Sequence, residues 1–168
     1  MICRNASAAF FLACLALAAP DLARAACIDP PGPGVDYRRC YLEDRKLVEV
    51  DLSGADLRQA RFSRAILTGA SLAGAKAQRA KFIAVQADGA DFTGTNLRNT
   101  DFTKAILDGA TLRGADFARA RLFRASLRGA DLTDAALKDT DILEADFSGA
   151  TWIDGTRVCA EGSVGLCR

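Results

Sequence analysis

The chain keeps one spacing for most of its length, and it is neither of the two that ordinary secondary structure uses. In "GADFARARLFRASLRGADL" (residues 114–132), alanine stands at 115, 120, 125 and 130, and Phe117, Leu122, Leu127 and Leu132 each follow two places later. Followed outward in steps of five, the large apolar position runs from Leu42 to Trp152 without an insertion, and only Ala77 and Ala87 replace a large side chain. The preceding small position is alanine in most units, threonine at 95, 100 and 140, and valine at 50 and 85; Cys40 and Arg45 depart from it at the start. Helices repeat near 3.6 residues and strands at 2. A period of five held in phase this long marks a repeat architecture, and it outranks any local propensity.

Two inward residues spaced by two fit one short extended side, because alternate residues of a strand face the same way. The other residues of each unit must then turn the chain sharply so that the next side can do likewise. Repetition winds a coil whose interior receives one small and one large side chain from every side. Alanine is demanded where the inner walls crowd, and Leu or Phe fills the middle. Backbone groups pair with the coils above and below at the ~4.8 Å strand spacing.

The units "VDLSG", "ADLRQ", "ADFTG", "ADFAR" and "ADLTD" resemble the A-(D/N)-L-x-x unit of pentapeptide repeat proteins. The resemblance covers residues 40–154 and implies an all-β solenoid, a right-handed quadrilateral β-helix with four units, or 20 residues, per turn. Just under six coils then fit between 40 and 154. The end segments "CIDPPGPGVDYRRC" and "ATWIDGTRVCAEGSVGLC" are similar to those of exported members. The glycines support the 20-residue turn independently. Gly69, Gly89, Gly109, Gly129 and Gly149 form one series at the fifth place of the unit, and Gly54, Gly74, Gly94 and Gly114 form another. Glycine as the second central residue suits a type II turn, so two adjacent faces are expected to end in type II turns and the other two in a different turn. Phe62, Phe82 and Phe102 should stack on one face.

Residues 1–25 read as a secretory signal peptide: Arg4, then an apolar run over Ala6–Ala19, then Ala23-Arg24-Ala25 before the cut. The run is too short to span a bilayer, which takes about 20 residues, and Arg24 stands where a lipobox upstream of Cys27 usually has leucine. The partition that follows is 1–25 signal peptide, 26–39 N-terminal arm, 40–154 repeats and 155–168 C-terminal cap loop. Pro30, Pro31 and Pro33 interleaved with Gly32 and Gly34 keep the arm irregular. An exported, periplasmic or extracellular protein with no membrane span in its mature chain is expected.

Removing that segment deletes Arg4, Arg24 and Asp21, leaving 20 basic and 20 acidic residues from the original 22 and 21. Zero net charge argues for neither nucleic acid nor membrane as a partner, and nucleic acid is not expected to be one. Cys3 and Cys14 go too, leaving Cys27, Cys40, Cys159 and Cys167, and an even count in an exported chain suggests disulfides, with three connectivities open. On the coil geometry the two ends of the stack lie roughly 25 Å apart, far beyond the ~4.4–6.8 Å Cα separation of a disulfide. Cys27–Cys40 and Cys159–Cys167, each clamping an end, is therefore the expected pairing.

No histidine occurs, which removes the commonest general base and zinc ligand. Glycines lie at repeat spacing with no phosphate-loop Lys-Ser/Thr behind them. Asp51, Asp56, Asp91, Asp101, Asp116, Asp131, Asp141 and Asp146 occupy the outward place before the large residue, where aspartate holds turns. No catalytic residue, metal site or cofactor is expected. Folded at 20 residues per turn, Arg58, Arg61, Arg64, Arg79, Lys81, Arg98, Lys104, Arg119, Arg121 and Arg124 share one longitudinal edge, with Asp101 the only acid among them. Glu49, Asp51, Asp88, Asp91, Asp108, Asp131 and Asp134 collect opposite, diluted by Arg113 and Arg128. A stripe of one sign focuses potential even at zero net charge. The expected function is a non-catalytic extracytoplasmic scaffold presenting flat faces and this basic edge to a protein or anionic envelope component. The alternative is a DNA mimic acting on a type II topoisomerase, as some pentapeptide repeat proteins are. That role needs an acidic, usually dimeric rod inside the cell, and this chain departs from it in charge, in its signal peptide and in lacking a C-terminal dimerisation helix.

Overall fold

The computed structural model describes residues 26–168; the stretch read as a signal peptide lies outside them. Every parallel β-bridge joins a residue to the one 20 places on, in four columns. The Asp36 column runs through Asp56, Lys76, Asn96 and Asp116 to Ala136; the Tyr41 column through Arg61, Lys81, Asp101 and Arg121 to Asp141. The Lys46 column ends at Asp146 and the Asp51 column at Thr151. The ladder therefore reaches back to Asp36, within the stretch expected to be an irregular arm, and Gly34 already donates to the Ser53 carbonyl (2.8 Å). Only two or three residues on each side are extended, so the sheet is made of isolated bridges.

Each side bonds in both directions along the stack. Arg61 N–H donates down to the Cys40 carbonyl (2.9 Å), and Phe62 N–H donates up to the Lys81 carbonyl (2.7 Å). The small and large inward residues are buried from Ala55 to Leu132. Where threonine replaces alanine, its hydroxyl stays satisfied: Thr95 donates to the Leu72 carbonyl (2.7 Å) and Thr100 to that of Leu97 (2.6 Å). Phe62 and Phe82 stack with centroids 5.1 Å apart, and Phe92 meets Phe82 edge-on at 6.1 Å across the interior.

The corners correct one expectation. Every fifth residue from Gly34 to Gly149 has positive φ, between +52° and +71°, whether or not it is glycine; Arg64 (+60°), Ala84 (+52°) and Asn99 (+58°) are examples. The turn closure is the same with and without glycine: Ala55 N–H donates to the Leu52 carbonyl (3.1 Å) and Ala65 N–H to that of Phe62 (2.9 Å). Two turn classes are therefore not needed. The ladder overrides local preference, since Arg64 N–H at its corner is itself bonded to the Ile83 carbonyl (2.9 Å) of the next coil. A backbone held from both sides tolerates a strain of roughly 1–2 kcal/mol per non-glycine residue.

Aspartate before the large residue has a specific task. Asp51, Asp56, Asp91, Asp101, Asp116, Asp131, Asp141 and Asp146 each accept the backbone N–H two residues ahead, at 2.8–3.3 Å. That N–H sits on the outside of the corner, where the ladder has no carbonyl for it. Disulfides close both ends: Cys27–Cys40 with Cα atoms 5.4 Å apart, and Cys159–Cys167 at 4.9 Å. Tyr37 ties the arm to the first coil by donating to the Asp29 carbonyl (2.6 Å). The C-terminal segment is more regular than a loop, because Val158 and Val164 form antiparallel bridges with Thr151 and Asp146.

Candidate functional site

The Tyr41 column and the corners flanking it carry all ten cations of the expected edge, and all ten are exposed. Arg61, Lys81 and Arg121 stand on the column itself; Arg64, Lys104 and Arg124 occupy the corner after it. Arg58, Arg79, Arg98 and Arg119 occupy the corner before it. Their side chains point outward because the inward places of each unit are fixed by the core.

The structure divides these ten into two groups. Six are engaged by carboxylates: Arg58 with Asp56 (2.5 Å), Arg61 with Glu43 (3.9 Å), Arg64 with Asp44 (2.8 Å), Arg98 with Asp116 (3.1 Å), Arg121 with Asp141 (3.7 Å) and Arg124 with Glu144 (2.6 Å). Asp101 is thus not the only acid beside the stripe. Glu43 and Asp44 flank it at the first coil, Asp141 and Glu144 at the last. Arg64, Arg121 and Arg124 each meet their acid 20 residues away, so the coil period that assembled the stripe could also have revealed these pairs. Arg61 also lies over the Tyr41 ring (4.8 Å to the centroid) and Arg124 over Phe123 (4.9 Å).

Arg79, Lys81, Lys104 and Arg119 form no ion pair among the described residues. They occupy three successive coils, spanning two coil spacings, or about 10 Å, from Arg79 to Arg119, and Arg119 shares its coil with the paired Arg121 and Arg124. Paired and unpaired cations thus alternate along the stripe: Arg98, engaged by Asp116, and the acid Asp101 on the Tyr41 column lie among the four cations that form no ion pair. Hydrogen bonding by Arg64 holds the Asp44 carboxyl below the ordinary carboxylate range and raises the guanidinium in turn; Arg58 does the same to Asp56.

The opposite side is the mirror case. Among its expected acids only Asp131 is ion-paired, with Arg113 at 2.8 Å, while Arg128 turns to Asp146 (2.9 Å) and Glu161 (2.8 Å). Asp108 is held by the Ser126 hydroxyl (2.5 Å) and the Arg128 N–H (3.1 Å). Among the described residues no group of His, Cys, Asp and Glu is placed to hold a metal ion, and no helix is long and apolar enough to cross a membrane.

A coil of 20-residue period, an alanine-and-leucine core and aspartate-held corners define one class, and the family model for pentapeptide repeats matches in 8 copies over residues 46–82, 80–118 and 115–151. The chain belongs to the pentapeptide repeat family, and its fold is a right-handed β-helix. Among solved structures, it is similar to a pentapeptide repeat protein from the Arabidopsis thaliana thylakoid lumen, at 28% identity and TM-score 0.59 over 61% of this chain and 71% of that one. It is also similar to HetL of the cyanobacterium Nostoc sp. strain PCC 7120, a pentapeptide repeat protein involved in heterocyst differentiation regulation, at 30% identity and TM-score 0.49 over 74% of this chain. The match spans 62% of HetL's length. QnrB1, a plasmid-mediated fluoroquinolone resistance protein, matches at 21% identity and TM-score 0.39 over 80% of this chain and 86% of its own. No curated protein matches.

Proposed function

We propose that the protein is a non-catalytic interaction scaffold of an extracytoplasmic, oxidising compartment. It docks a protein or an anionic envelope polymer on the side carrying Arg79, Lys81, Lys104 and Arg119. The observation that carries this reading is that those four exposed cations form no ion pair among the described residues, whereas the other six of the stripe do. Free guanidinium and ammonium groups need no existing pair to break before they meet an anionic ligand, so they bind it at the lowest cost. Two disulfides fit an oxidising site of action, and the reading of residues 1–25 as a signal peptide supplies the route there. The similar plant protein also comes from a lumen, that of the thylakoid. With this reading go a quadrilateral cross-section of just under six coils and the partition into arm, repeats and C-terminal cap.

The test is retention of the purified protein on an immobilised sulfated dextran, followed through a salt gradient. Earlier elution of the combined Arg79→Gln, Lys81→Gln, Lys104→Gln and Arg119→Gln variant is expected, with unchanged thermal unfolding. Neutralising the paired Arg64 and Arg124 instead should shift elution less. Retention that is insensitive to salt, or equal loss from both variants, would remove the unpaired cations from the site.

A further inference from the structure

The outward places of the coil are polar almost throughout, and their large apolar side chains gather at one corner. Ile83, Phe123 and Leu143 share one place of the turn between the Tyr41 and Lys46 columns, and Ile66 and Ile106 stand on the Lys46 column beside it. Tyr41 and Val48 bracket the same corner at the first coil; among the outward places from Asp36 to Asp154, only Ile153 puts a large apolar side chain elsewhere. Leu143 is 61% and Ile106 38% exposed, and Ile66, Ile83 and Phe123 are half-buried. The corner between the Asp51 and Asp36 columns carries Gly54, Gly74, Gly94 and Gly114 instead. The apolar file is held by the backbone: the carbonyls of Ile83, Phe123 and Leu143 accept the N–H groups of Arg64, Lys104 and Arg124 one coil earlier, at 2.9, 2.9 and 3.1 Å.

Cations stand between these side chains. Arg64, Lys104 and Arg124 take the next place of the same turn, and Lys81 and Arg121 stand on the Tyr41 column at the other flank. Between Arg61 and Ser126 the only acid on this corner and its two flanking columns is Asp101. The Thr103 hydroxyl and N–H both donate to it, at 2.6 and 3.0 Å. Arg124 lays its guanidinium over the Phe123 ring, 4.9 Å from the centroid, so charge and apolar surface are presented together. Arg64 and Arg124 hold Asp44 and Glu144 of the end coils, whereas Lys81 and Lys104 form no ion pair among the described residues.

We infer that this ridge rests on the surface of an anionic lipid bilayer. A turn corner is convex and backed by the packed core, so it cannot enclose a small molecule or an extended peptide, whereas a lipid interface yields around it. The apolar tips enter the boundary between headgroups and acyl chains, and the long basic side chains keep their charge at the level of the phosphates. Zero net charge does not oppose this contact, because headgroups within a Debye length sense the local patch and not the sum. A second copy fits the ridge poorly. A two-fold axis along the coil would set Asp44 against Asp44 and Arg64 against Arg64, and one across it would set Asp44 against Glu144 and Arg64 against Arg124. The ridge shares Lys81 and Lys104 with the docking side proposed above, but its apolar file is an element that a sulfated polymer does not use.

Co-sedimentation with lipid vesicles tests the contact. Residues 26–168 hold the whole described fold, and using them keeps the apolar run at Ala6–Ala19 out of the assay. Vesicles of phosphatidylcholine with phosphatidylglycerol should carry the protein down, and vesicles of phosphatidylcholine alone should bind it about tenfold or more weakly; salt should weaken the anionic contact. Ile106→Ser combined with Phe123→Ser should lower affinity for the anionic vesicles by about tenfold and leave elution from sulfated dextran in place. Lys81→Gln combined with Lys104→Gln should lower both. Leu143→Ser, at the most exposed tip, is a second apolar variant, and Ile153→Ser, away from the ridge, should change nothing. Unchanged melting temperatures report that each variant keeps the fold. Equal binding to both lipids, indifference to both apolar variants, or equal weakening by Ile153→Ser would each overturn the assignment. So would the absence of vesicle binding: self-association that the apolar variant abolishes would then give the ridge to a second copy, and no self-association would leave it to a partner protein.

Discussion

The rings of Phe82 and Phe102, 20 residues apart, lie 4.6 Å apart at their centroids and within 11° of parallel. This contact transmits the coil period into the core: each large residue rests on its own equivalent in the next turn. Phe82→Ala removes a ring that touches Phe62, Phe92 and Phe102. A loss of about 3–5 kcal/mol in denaturant unfolding is expected, against less than about 1 kcal/mol for Phe123→Ala on the outside.

The small inward position has no room to grow. Ala115 and Ala120 are buried between coils, so Ala115→Leu or Ala120→Leu should destabilise by ~1–3 kcal/mol through overpacking. Asp116→Ser keeps an oxygen near the Ala118 N–H that Asp116 now binds at 3.0 Å, and should stay within about 0.5 kcal/mol. Equal melting shifts for the inward and outward variants would contradict the inward assignment.

The corners make a prediction of opposite sign at equivalent places. Gly94 has φ +62° and open space where a Cβ would go, so Gly94→Ala should cost roughly 1–2 kcal/mol through backbone strain alone. Ala84 already carries that strain at +52°, and Ala84→Gly should raise the unfolding midpoint. Chemical denaturation of the two variants side by side settles the sign.

Stability should be flat through neutral pH, since no histidine is present, and should fall in acid. Asp44 is lowered by the Arg64 hydrogen bond, Asp56 by that of Arg58, and Asp51 by the Ser53 hydroxyl and N–H. A carboxyl whose pKa is lowered on folding binds its proton more tightly in the unfolded chain. Its contribution is complete above the ordinary value near 4 and is lost as pH drops through the lowered one. Thermal melts in a pH series should show the decline beginning below about pH 4, and Asp44→Asn should lessen it.

Removing the C-terminal disulfide tests how firmly the antiparallel fold-back of residues 157–165 is held on the last coil. The Cys159–Cys167 loop spans 8 residues of separation, and replacing both cysteines with serine should lose ~2–3 kcal/mol by the loop-closure relation. Amide exchange should rise first at position 159 and at Gly165, whose N–H groups bond to the last coil.

The candidate site was only partly legible. Assigning Arg61, Lys81 and Arg121 to one side needed only the 20-residue period, and the same arithmetic pairs Arg64 with Asp44 and Arg124 with Glu144. Picking out Arg79, Lys81, Lys104 and Arg119 as unpaired required side-chain geometry. Arg98 reaches Asp116 over 18 residues and Arg58 reaches Asp56 over two, and long side chains choose among such neighbours only in the folded surface.

The sequence by itself determined the repeat, the inward pair in each unit and the phase that runs from Leu42 to Trp152, because burial of one small and one large side chain per side is a local, periodic requirement. It also marked the outward aspartates, whose bonds reach only two residues ahead. Tertiary structure decided the corners, where bonds such as Arg64 N–H to the Ile83 carbonyl hold non-glycine residues at positive φ. It decided the start of the ladder at Asp36 and the antiparallel fold-back of the C-terminal chain as well. Both lie where the repeat stops. There no periodic rule says which backbone groups find partners, and the path of the terminal chain alone settles which N–H and C=O groups are covered.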